Sequence, residues 1–380
     1  MDKIGIFQKQ PSGYSAFIPA PFPPKNLIKW DNDLIFLLSQ SDMAIGKLNE
    51  IDKLVPDVDF FIFMYIGKEA TLSSQIEGTQ ASFMDLVKAE AKFKDEKISS
   101  DVDEIRNYIT AMGYGIKRLK TLPLSLRLIK EIHKELLKGV RGHRKTPGEF
   151  SKSQNWIGGP TIETATFVPP PASEVMRSLS DIEKFIHAKS PNLPYLIKAG
   201  LLHAQFETIH PFLDGNGRVG RLLITFYLIK EGILFHPLLY LSEFFKRYRV
   251  NYYDNLNIYR AKGGVEKWLK FFLEGVRTVA EEAADTAIKI NSLRNEHIET
   301  VSGFGRNAAT AMKLLNKLYS IPMVDTKSVA RITGLRSKAS VNALVDKFVK
   351  AKILYEMTGK ERYQRFMYKD YTRIFTPEKM

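Results

Sequence analysis

The sequence predicts a mainly α-helical protein that ends in a helix-turn-helix followed by a β-hairpin. Three observations lead to this fold class. Apolar residues recur at helical spacing over most of residues 27–293. Residues 146–172 interrupt this pattern with Gly, Pro and Thr, and their alternation predicts a short β-hairpin. After residue 305, three helical stretches precede two short strands around Thr358–Glu361.

The size and composition exclude several classes of protein. The 380 residues allow two to three domains, and 44% hydrophobic with 26% charged residues is normal for a globular chain. No run approaches about 18 apolar residues and the N-terminus lacks an apolar signal segment, so we expect neither a membrane span nor a membrane partner. The absence of cysteine excludes disulfides, thiol catalysis and cysteine-ligated zinc, and it fits a cytoplasmic location.

The patterns divide the chain into three regions. Residues 1–100 begin with an arm rich in proline and aromatic residues, which we expect to be extended, and continue as helices. Residues 101–300 form a helical core that includes the hairpin. Residues 306–380 have the element order of a winged helix. The predicted helices with the clearest bounds are Phe60–Gln75, Val102–Leu119, Leu126–Leu137, Ala308–Tyr319, Thr326–Thr333 and Lys338–Ala351.

The net charge of +14 is concentrated near the C-terminus. Residues 301–380 hold 16 lysines and arginines against 6 aspartates and glutamates, whereas residues 1–300 hold 40 against 36. The basic balance therefore belongs to the winged-helix region. An acidic partner, nucleic acid above all, is the natural expectation for such a region.

The most informative segment is HPFLDGNGRVGR, residues 210–221, which lies between two apolar helical stretches. Gly215, Asn216 and Gly217 allow a backbone whose amides point inward at the start of a helix, where an anion is favoured. Arg218 and Arg221 add guanidinium groups that suit phosphate oxygens. The segment thus predicts a phosphate site.

Two further side chains of this segment suggest the chemistry. Asp214 beside a phosphate site would repel phosphate unless a divalent cation bridges them, and Mg²⁺ takes one carboxylate together with phosphate oxygens. His210 is the group in the segment that can accept a proton near neutral pH. A base, a metal carboxylate, an anion site and two arginines together indicate phosphoryl or nucleotidyl transfer.

The segment also allows other interpretations. Residues 215–220 match the dinucleotide pattern GxGxxG, but a helix rather than a strand precedes them, and no Walker motif occurs. His203, Glu207 and His210 share one helix face and could bind a metal, or His203 and Glu207 could support packing. A purely structural turn would not need so dense a set of functional groups.

Residues 210–221 match every defined position of the motif H-x-F-x-[DE]-G-N-G-R-x-x-R, so the chain resembles the Fic family. The similarity extends from the N-terminal helices to about residue 278. It implies a Fic-type helical core and transfer of AMP from ATP to a Tyr, Thr or Ser hydroxyl of a target protein, with release of pyrophosphate. Some members of the family use other nucleotides or phosphocholine.

The resemblance also implies residue roles. His210 would be the general base and Asp214 would hold Mg²⁺. Arg221 would bind the γ-phosphate of ATP. The remaining phosphate contacts would come from Gly215, Asn216, Gly217 and Arg218.

An upstream segment, SSQIEG at residues 73–78, resembles the Fic inhibitory motif. Ser73 and Glu77 lie at i and i+4 of a predicted helix, on one face. The resemblance implies that Glu77 pairs with Arg221 and occupies the donors meant for the γ-phosphate. It therefore predicts an autoinhibited enzyme of the N-terminally inhibited class. A surface glutamate that ends a helix before Gly78 is the alternative.

The predicted hairpin resembles the Fic flap, which would cover the nucleotide and dock a segment of the target protein by strand addition. Its nucleotide-binding residues would be Asn155, Trp156, Ile157 and Gly158. Tyr252 and Tyr253 lie where relatives place aromatic residues near adenine, although core packing is an equal alternative. Arg260 is a weaker candidate for the same site.

Several alternatives stay open at this stage. The same site could remove AMP from a modified protein with Glu77 positioning a water, or the core could sense a nucleotide for a transcription regulator. The winged helix could bind DNA or protein, and a homodimer is one of the states the sequence allows. The candidate DNA-contact residues of the winged helix are Arg336, Lys338, Lys347 and Lys350 on the recognition helix and Lys360, Arg362 and Arg365 on the wing.

Overall fold

The computed structural model describes residues 3–51, 58–91, 93, 99–189, 192–262 and 264–375. The chain forms two compact units, of which the first comprises residues 1–49, 72–80 and 103–281 and the second residues 50–71, 81–102 and 282–380. Each unit is assembled from separate segments. The division along the chain into 1–100, 101–300 and 306–380 therefore stays a prediction.

Helices dominate the part of the chain that the structure describes, as predicted. They are α1 Asn32–Asn49, α2 Val58–Ile76, α3 Phe83–Ala91, α4 Ser100–Leu119, α5 Leu126–Leu136, α6 Ala172–His187, α7 Tyr195–Ile209, α8 Asn216–Lys230, α9 Ser242–Arg247, α10 Arg249–Lys262, α11 Val265–Ser302, α12 Ala308–Leu318, α13 Thr326–Thr333, α14 Lys338–Lys350 and α15 Lys369–Phe375. The six helices whose bounds the sequence indicated are confirmed to within two residues at each end. Among the described residues, no helix is long and apolar enough to span a membrane.

The N-terminal arm is extended, as predicted, but it also pairs with itself. Strands β1 Gly5–Lys9 and β2 Ser15–Pro19 are antiparallel, with Phe7 opposite Phe17. The Phe17 amide then donates to the carbonyl oxygen of Val168 at 3.0 Å. The hairpin was not predicted because prolines favour extended backbone without specifying a partner strand.

Two helices at the centre of the first unit fix the segment between them. Every residue from Leu196 to Ile209 in α7 and from Asn216 to Leu228 in α8 is buried. A helix that is buried on all sides is a core helix, and its ends have little freedom to shift. Residues 210–215 therefore form a short loop held at both ends by the core.

The predicted β-hairpin in residues 146–172 is wrong in extent. A single antiparallel bridge joins Ile157 and Phe167, and a 3₁₀ turn, Ile162–Thr164, lies between them. Gly158 and Gly159 follow the bridge with φ of +71° and +76°, which is left-handed backbone outside the β region. Strand pairing cannot continue through that geometry, so the segment is a bridged loop.

The second unit contains the predicted order of C-terminal elements and two more. Its sheet has the antiparallel order β3 Met323–Asp325, β5 Arg365–Met367 and β4 Tyr355–Glu356. Asp325 caps α13 by accepting from the Ser328 amide at 2.7 Å, and Gly334 ends it with φ of +78°. The sequence analysis missed β3 and α15, which are too short for a periodic signal.

Candidate active site

The loop between α7 and α8 is closed by one of its own side chains. Asn216 Oδ1 accepts from the Phe212 amide at 2.8 Å, and Asn216 Nδ2 donates to the Phe212 carbonyl oxygen at 2.7 Å. Gly215 precedes the helix with φ of +77°. Asn216 thus uses both ends of its amide to hold the loop. What it can offer to a phosphate group is its backbone N–H at the start of α8.

His133 on α5 clamps the same loop from outside the motif. Its Nε2 lies 2.9 Å from the Asp214 carbonyl oxygen, and its Nδ1 accepts from the Gly148 amide at 2.8 Å. Because Nδ1 accepts, the ring proton is on Nε2, which donates. Burial lowers the pKa of His133 to about 4, so the neutral ring is the stable form. The ring also stacks on Phe212, with centroids 3.7 Å apart.

Replacement of His133 by phenylalanine should separate hydrogen bonding from stacking. The new ring keeps the contact with Phe212, while the Gly148 amide and the Asp214 carbonyl lose their buried partner. We expect the free energy of unfolding to fall by about 1–3 kcal/mol, measured by urea denaturation. The replacement His143→Phe, at a histidine with one local hydrogen bond, is the control. An unchanged stability for His133→Phe would contradict the clamp.

His210 ends α7 in a left-handed conformation, with φ of 48° and ψ of 58°. This backbone turns the residue out of the helix, and its ring is half-buried. Burial lowers the pKa of His210 to about 4, and the charge of Arg260 acts in the same direction. The imidazole is therefore neutral at physiological pH and able to accept a proton.

Arg218 carries two guanidinium nitrogens without a hydrogen-bond acceptor in the part of the chain that the structure describes. Its side chain is 1% exposed, and among the described residues Nε and Nη1 have no hydrogen-bond acceptor. Its Nη2 lies 3.4 Å from Asp214 Oδ1, and Nη1 lies 3.8 Å from Glu104 Oε2. Buried N–H groups without acceptors are costly, and an anionic ligand at this place would satisfy them.

Arg221, by contrast, makes three hydrogen bonds to residues at and just beyond the end of α2. Its Nε donates to Ser73 Oγ at 2.8 Å, and its Nη2 donates to Ser73 O at 2.9 Å and to Glu77 Oε1 at 2.8 Å. Burial acts to raise the pKa of Glu77, but the charge and the hydrogen bond of Arg221, together with the further positive charge of Arg218, lower the pKa overall. Glu77 is thus a carboxylate held by the second arginine of the motif.

Glycine at position 217 leaves room for this carboxylate. A Cβ atom added to Gly217 would collide with Glu77 Oε1 and would lie 3.1 Å from Arg221 Nη1. The carboxylate therefore lies against the first turn of α8, beside backbone that the sequence analysis assigned to phosphate. The structure brings Ser73, Glu77 and Arg221 together, as the resemblance implied.

A second acidic residue, Glu104 on α4, holds the chain just beyond Glu77. Its Oε2 accepts from Thr79 Oγ1 at 2.7 Å, and its Oε1 lies 3.3 Å from Arg141 Nε. Glu104 is 3% exposed and also faces Arg218. Sequence reasoning missed this residue because a lone glutamate on an amphipathic helix has no local signature.

His203 and Glu207 form part of the core behind the loop. His203 Nδ1 lies 2.9 Å from the Gly220 carbonyl oxygen, and Nε2 lies 2.9 Å from the Tyr252 hydroxyl. Both ring nitrogens are engaged, so the alternative of a metal site on this helix face is wrong. Burial raises the pKa of Glu207 to about 7, so this core carboxyl is about half protonated near neutral pH.

The two predicted adenine contacts have different surroundings. Tyr252 is 1% exposed and stacks on Phe245 with centroids 4.4 Å apart, so the packing alternative describes it better. The adjacent Tyr253 is 37% exposed, and Arg249 lies 5.6 Å from its ring centroid. A nucleotide contact by Tyr253 stays a prediction.

The flap segment, residues 146–172, donates hydrogen bonds to backbone carbonyls of the motif loop, residues 210–215. The Ser151 amide donates to the Pro211 carbonyl at 2.8 Å, and Asn155 Nδ2 donates to the Phe212 carbonyl at 2.7 Å. The predicted contacts Trp156, Ile157 and Gly158 follow, and Trp156 is 41% exposed.

Arg260, a weak candidate from sequence, connects the flap segment to α7. Its guanidinium lies 4.1 Å from the Phe167 ring centroid, and Nη2 donates to the Glu207 carbonyl at 3.1 Å. Arg260 Nε also donates to Thr208 Oγ1 at 3.2 Å. Its contacts are therefore with protein groups next to His210, and its charge lowers the pKa of His210.

Comparison with known proteins identifies the family. A model of the Fic/DOC family N-terminal region matches residues 35–117, and a Fic/DOC family model matches residues 123–228. The chain belongs to the Fic/DOC family. The Fic N-terminal match includes Glu77 and Glu104, and the Fic match includes His133 and the whole motif loop. Tyr252, Tyr253 and Arg260 lie beyond both matches.

Relatives and a solved structure agree with this assignment. The protein adenylyltransferase Fic of Aedes aegypti is 30% identical over 185 residues, which are 47% of this chain and 34% of that protein. A probable protein adenylyltransferase of Aquifex aeolicus is 30% identical over 173 residues, 45% of this chain and 50% of that protein. The chain thus spans half or less of the length of these Fic relatives. A crystal structure of a Fic family protein from Desulfovibrio desulfuricans has a TM-score of 0.59 at 17% identity, over 90% of this chain and 97% of that one, which supports the fold.

Proposed function

We propose that this protein is an autoinhibited adenylyltransferase that moves AMP from ATP to a Tyr, Thr or Ser hydroxyl of a target protein and of itself. The hydroxyl oxygen bonds to the α-phosphorus, the bond from that phosphorus to pyrophosphate breaks, and the hydroxyl proton passes to His210. The observation that carries the proposal is Arg218, a buried guanidinium whose Nε and Nη1 have no hydrogen-bond acceptor among the described residues, beside a neutral base and a helix N-terminus. This set of groups matches the charges of a nucleoside triphosphate at the moment of transfer.

Different residues of the chain would supply the base, the phosphate contacts and the position of the target. His210 is neutral near pH 7 and can remove the hydroxyl proton, which contributes roughly 10²–10⁴-fold in rate. Backbone amides at the start of α8 and the Arg218 guanidinium would hold the phosphates. The flap, joined to the motif loop by Ser151 and Asn155, would keep a target segment in register with that base.

Asp214 is the residue that fits Mg²⁺. Its side chain is 33% exposed, and within the part of the chain that the structure describes its polar contact is a long one, at 3.4 Å to Arg218. Among the described residues no group of three or more His, Cys, Asp or Glu could hold a metal ion by itself. One carboxylate together with substrate phosphate oxygens is the arrangement in which Mg²⁺ commonly binds. When bound, the ion would neutralise charge on the phosphates.

The proposed autoinhibition rests on competition for Arg221. A γ-phosphate bound to this guanidinium would need the Arg221 Nη2 donor that Glu77 occupies. The negative charge of Glu77 would also repel the phosphate there. Glu104 holds Thr79, two residues further on, and thereby favours the closed position of this segment. Relief of inhibition would then require the chain around Glu77 to move away from α8.

The test is intact-protein mass spectrometry after incubation with Mg²⁺ and ATP, with the protein alone and with a cell extract as source of targets. A mass gain of one AMP on the protein, or AMP on extract proteins, supports transfer. The converse incubation, with pre-adenylylated protein, tests removal of AMP. No transfer from ATP in these incubations, together with removal of AMP from pre-adenylylated protein, would favour the reverse reaction.

The lowered pKa of His210 predicts an unusual pH profile. The base must be neutral, so the rate of transfer should be level from about pH 6 to 8 and fall only as the pH approaches about 4. An unperturbed histidine would instead give a midpoint near pH 6.5. The measurement is the initial rate of self-modification against pH in buffers of constant ionic strength. A midpoint near 6.5 would contradict the assignment of a desolvated base.

A further inference from the structure

The basic C-terminal region uses some of its charges within the protein. Lys347 Nζ donates to the Phe304 carbonyl oxygen at 3.1 Å and lies 5.6 Å from the centroid of its ring. The Arg365 guanidinium lies 4.4 Å from the Phe93 ring centroid. Both were predicted to contact an external partner. Each has a contact within this unit and is half-buried, and a contact of either with an external partner stays a prediction.

The start of α14 presents a different surface. Val341, Leu344 and Phe348 are buried, so one face of the helix belongs to the core. Arg336 and Lys338, just before and at the first turn, are exposed. The outward residues of the next turns are short or polar, namely Ala339, Ser340, Asn342, Ala343 and Asp346. A helix with short outward side chains and flanking cations can enter the major groove of DNA.

The turn between β4 and β5 carries a second group of cations. Glu356 accepts hydrogen bonds from the Thr358 amide and the Gly359 amide, both at 2.8 Å, so its carboxylate organises the base of the turn. Lys360, Arg362 and Tyr363 are exposed, and Tyr363 is 79% exposed.

Two of the six acidic residues of 301–380 thus accept hydrogen bonds from backbone amides close to them in sequence. Asp325 caps α13 and Glu356 organises the turn, so their charges serve local backbone amides. The exposed charges at the start of α14 and on the turn are mostly positive. This favours a polyanion over an apolar protein surface as the partner.

We propose that α14 and the turn 357–364 form a surface for double-stranded DNA, with α14 in the major groove and the turn on the phosphate backbone. The inference is independent of the proposed transfer activity, since it uses residues of the second unit alone. Arg336, Lys338 and Arg362 supply the phosphate or base contacts. Asn342 is the outward side chain best suited to read an adenine edge.

The experiment is fluorescence anisotropy of the full chain with a labelled mixed-sequence duplex of about three helical turns. Wild type should bind, and the triple variant Arg336→Ala/Lys338→Ala/Arg362→Ala should bind about tenfold or more weakly. The slope of log affinity against log salt should fall in magnitude by roughly 2 to 3 in the variant, because each lost phosphate contact contributes about 0.9.

The matched control is Arg306→Ala/Lys313→Ala/Lys317→Ala, which removes the same charge from exposed positions outside α14 and the turn. It should keep the wild-type affinity. An equal loss in both triple variants would show that binding follows net charge and would overturn the surface. Absence of duplex binding at low salt, or equal binding of duplex and single-stranded RNA, would overturn it as well. Circular dichroism of both variants checks that each is folded.

Discussion

Replacement of Glu77 by glycine should raise the rate of self-modification with AMP about 5- to 150-fold. This is the factor by which coupled binding sites typically change each other's affinity. The physical reason is the 2.8 Å contact from Arg221 Nη2 to Glu77 Oε1, which ends when the carboxylate is removed. Arg221 would keep its two bonds to Ser73 and remain in place for a γ-phosphate. The measurement is the initial rate by intact mass, at equal protein and ATP concentrations.

Two further variants show whether the carboxylate or the backbone is responsible. Glu77→Ala removes the carboxylate and leaves ordinary helix-end backbone before Gly78, so it should activate as glycine does. Glu77→Gln keeps a hydrogen-bond acceptor without charge and should give an intermediate rate. Equal rates in wild type and all three variants would sink the claim of inhibition. Activation by glycine alone would instead point to loosening of the chain at this place.

Replacement of His210 by alanine should lower AMP transfer by about 10²–10⁴-fold, because the attacking hydroxyl loses its base. The comparison belongs in the Glu77→Gly background, where transfer is fast enough to quantify the loss. Alanine, like histidine, carries a Cβ atom and does not add the backbone freedom that glycine would add at the left-handed φ of 48°. Rates come from incorporation of label from ATP.

Binding must be measured alongside the rate. The same double variant should bind ATP with Mg²⁺ as tightly as Glu77→Gly does, by isothermal titration calorimetry, because Arg218 and Arg221 are intact. A loss of rate with unchanged affinity assigns His210 to the chemical step. If transfer persisted without the imidazole, another group would be the base and the site assignment would fail.

The motif loop and its flanking helices could be predicted from the sequence because each part carries its own local signal. Apolar residues surround residues 210–221 on both sides, and glycine at 215 marks the break between helices. The contact of Glu77 with Arg221 came from the family resemblance. Its two partners are 144 residues apart, and no local rule joins them.

His133 and Glu104 could not have been found in this way. Each is one polar residue on an amphipathic helix, and its role depends on partners far away in sequence, such as Asp214 for His133 and Arg218 for Glu104. The predicted extent of the flap hairpin was wrong for a related reason. Alternation in residues 164–168 indicates a strand, but left-handed Gly158 and Gly159 decide where pairing stops.

The backbone of His210 has a consequence for how such a protein can change. An L-residue in the left-handed region costs on the order of 1–2 kcal/mol, and glycine would remove most of that cost. At this position, thermal stability therefore favours glycine, whereas the proposed proton transfer requires histidine. If His210 is the proposed base, a laboratory selection for survival of heating alone would favour glycine at residue 210, and the selected proteins would no longer transfer AMP.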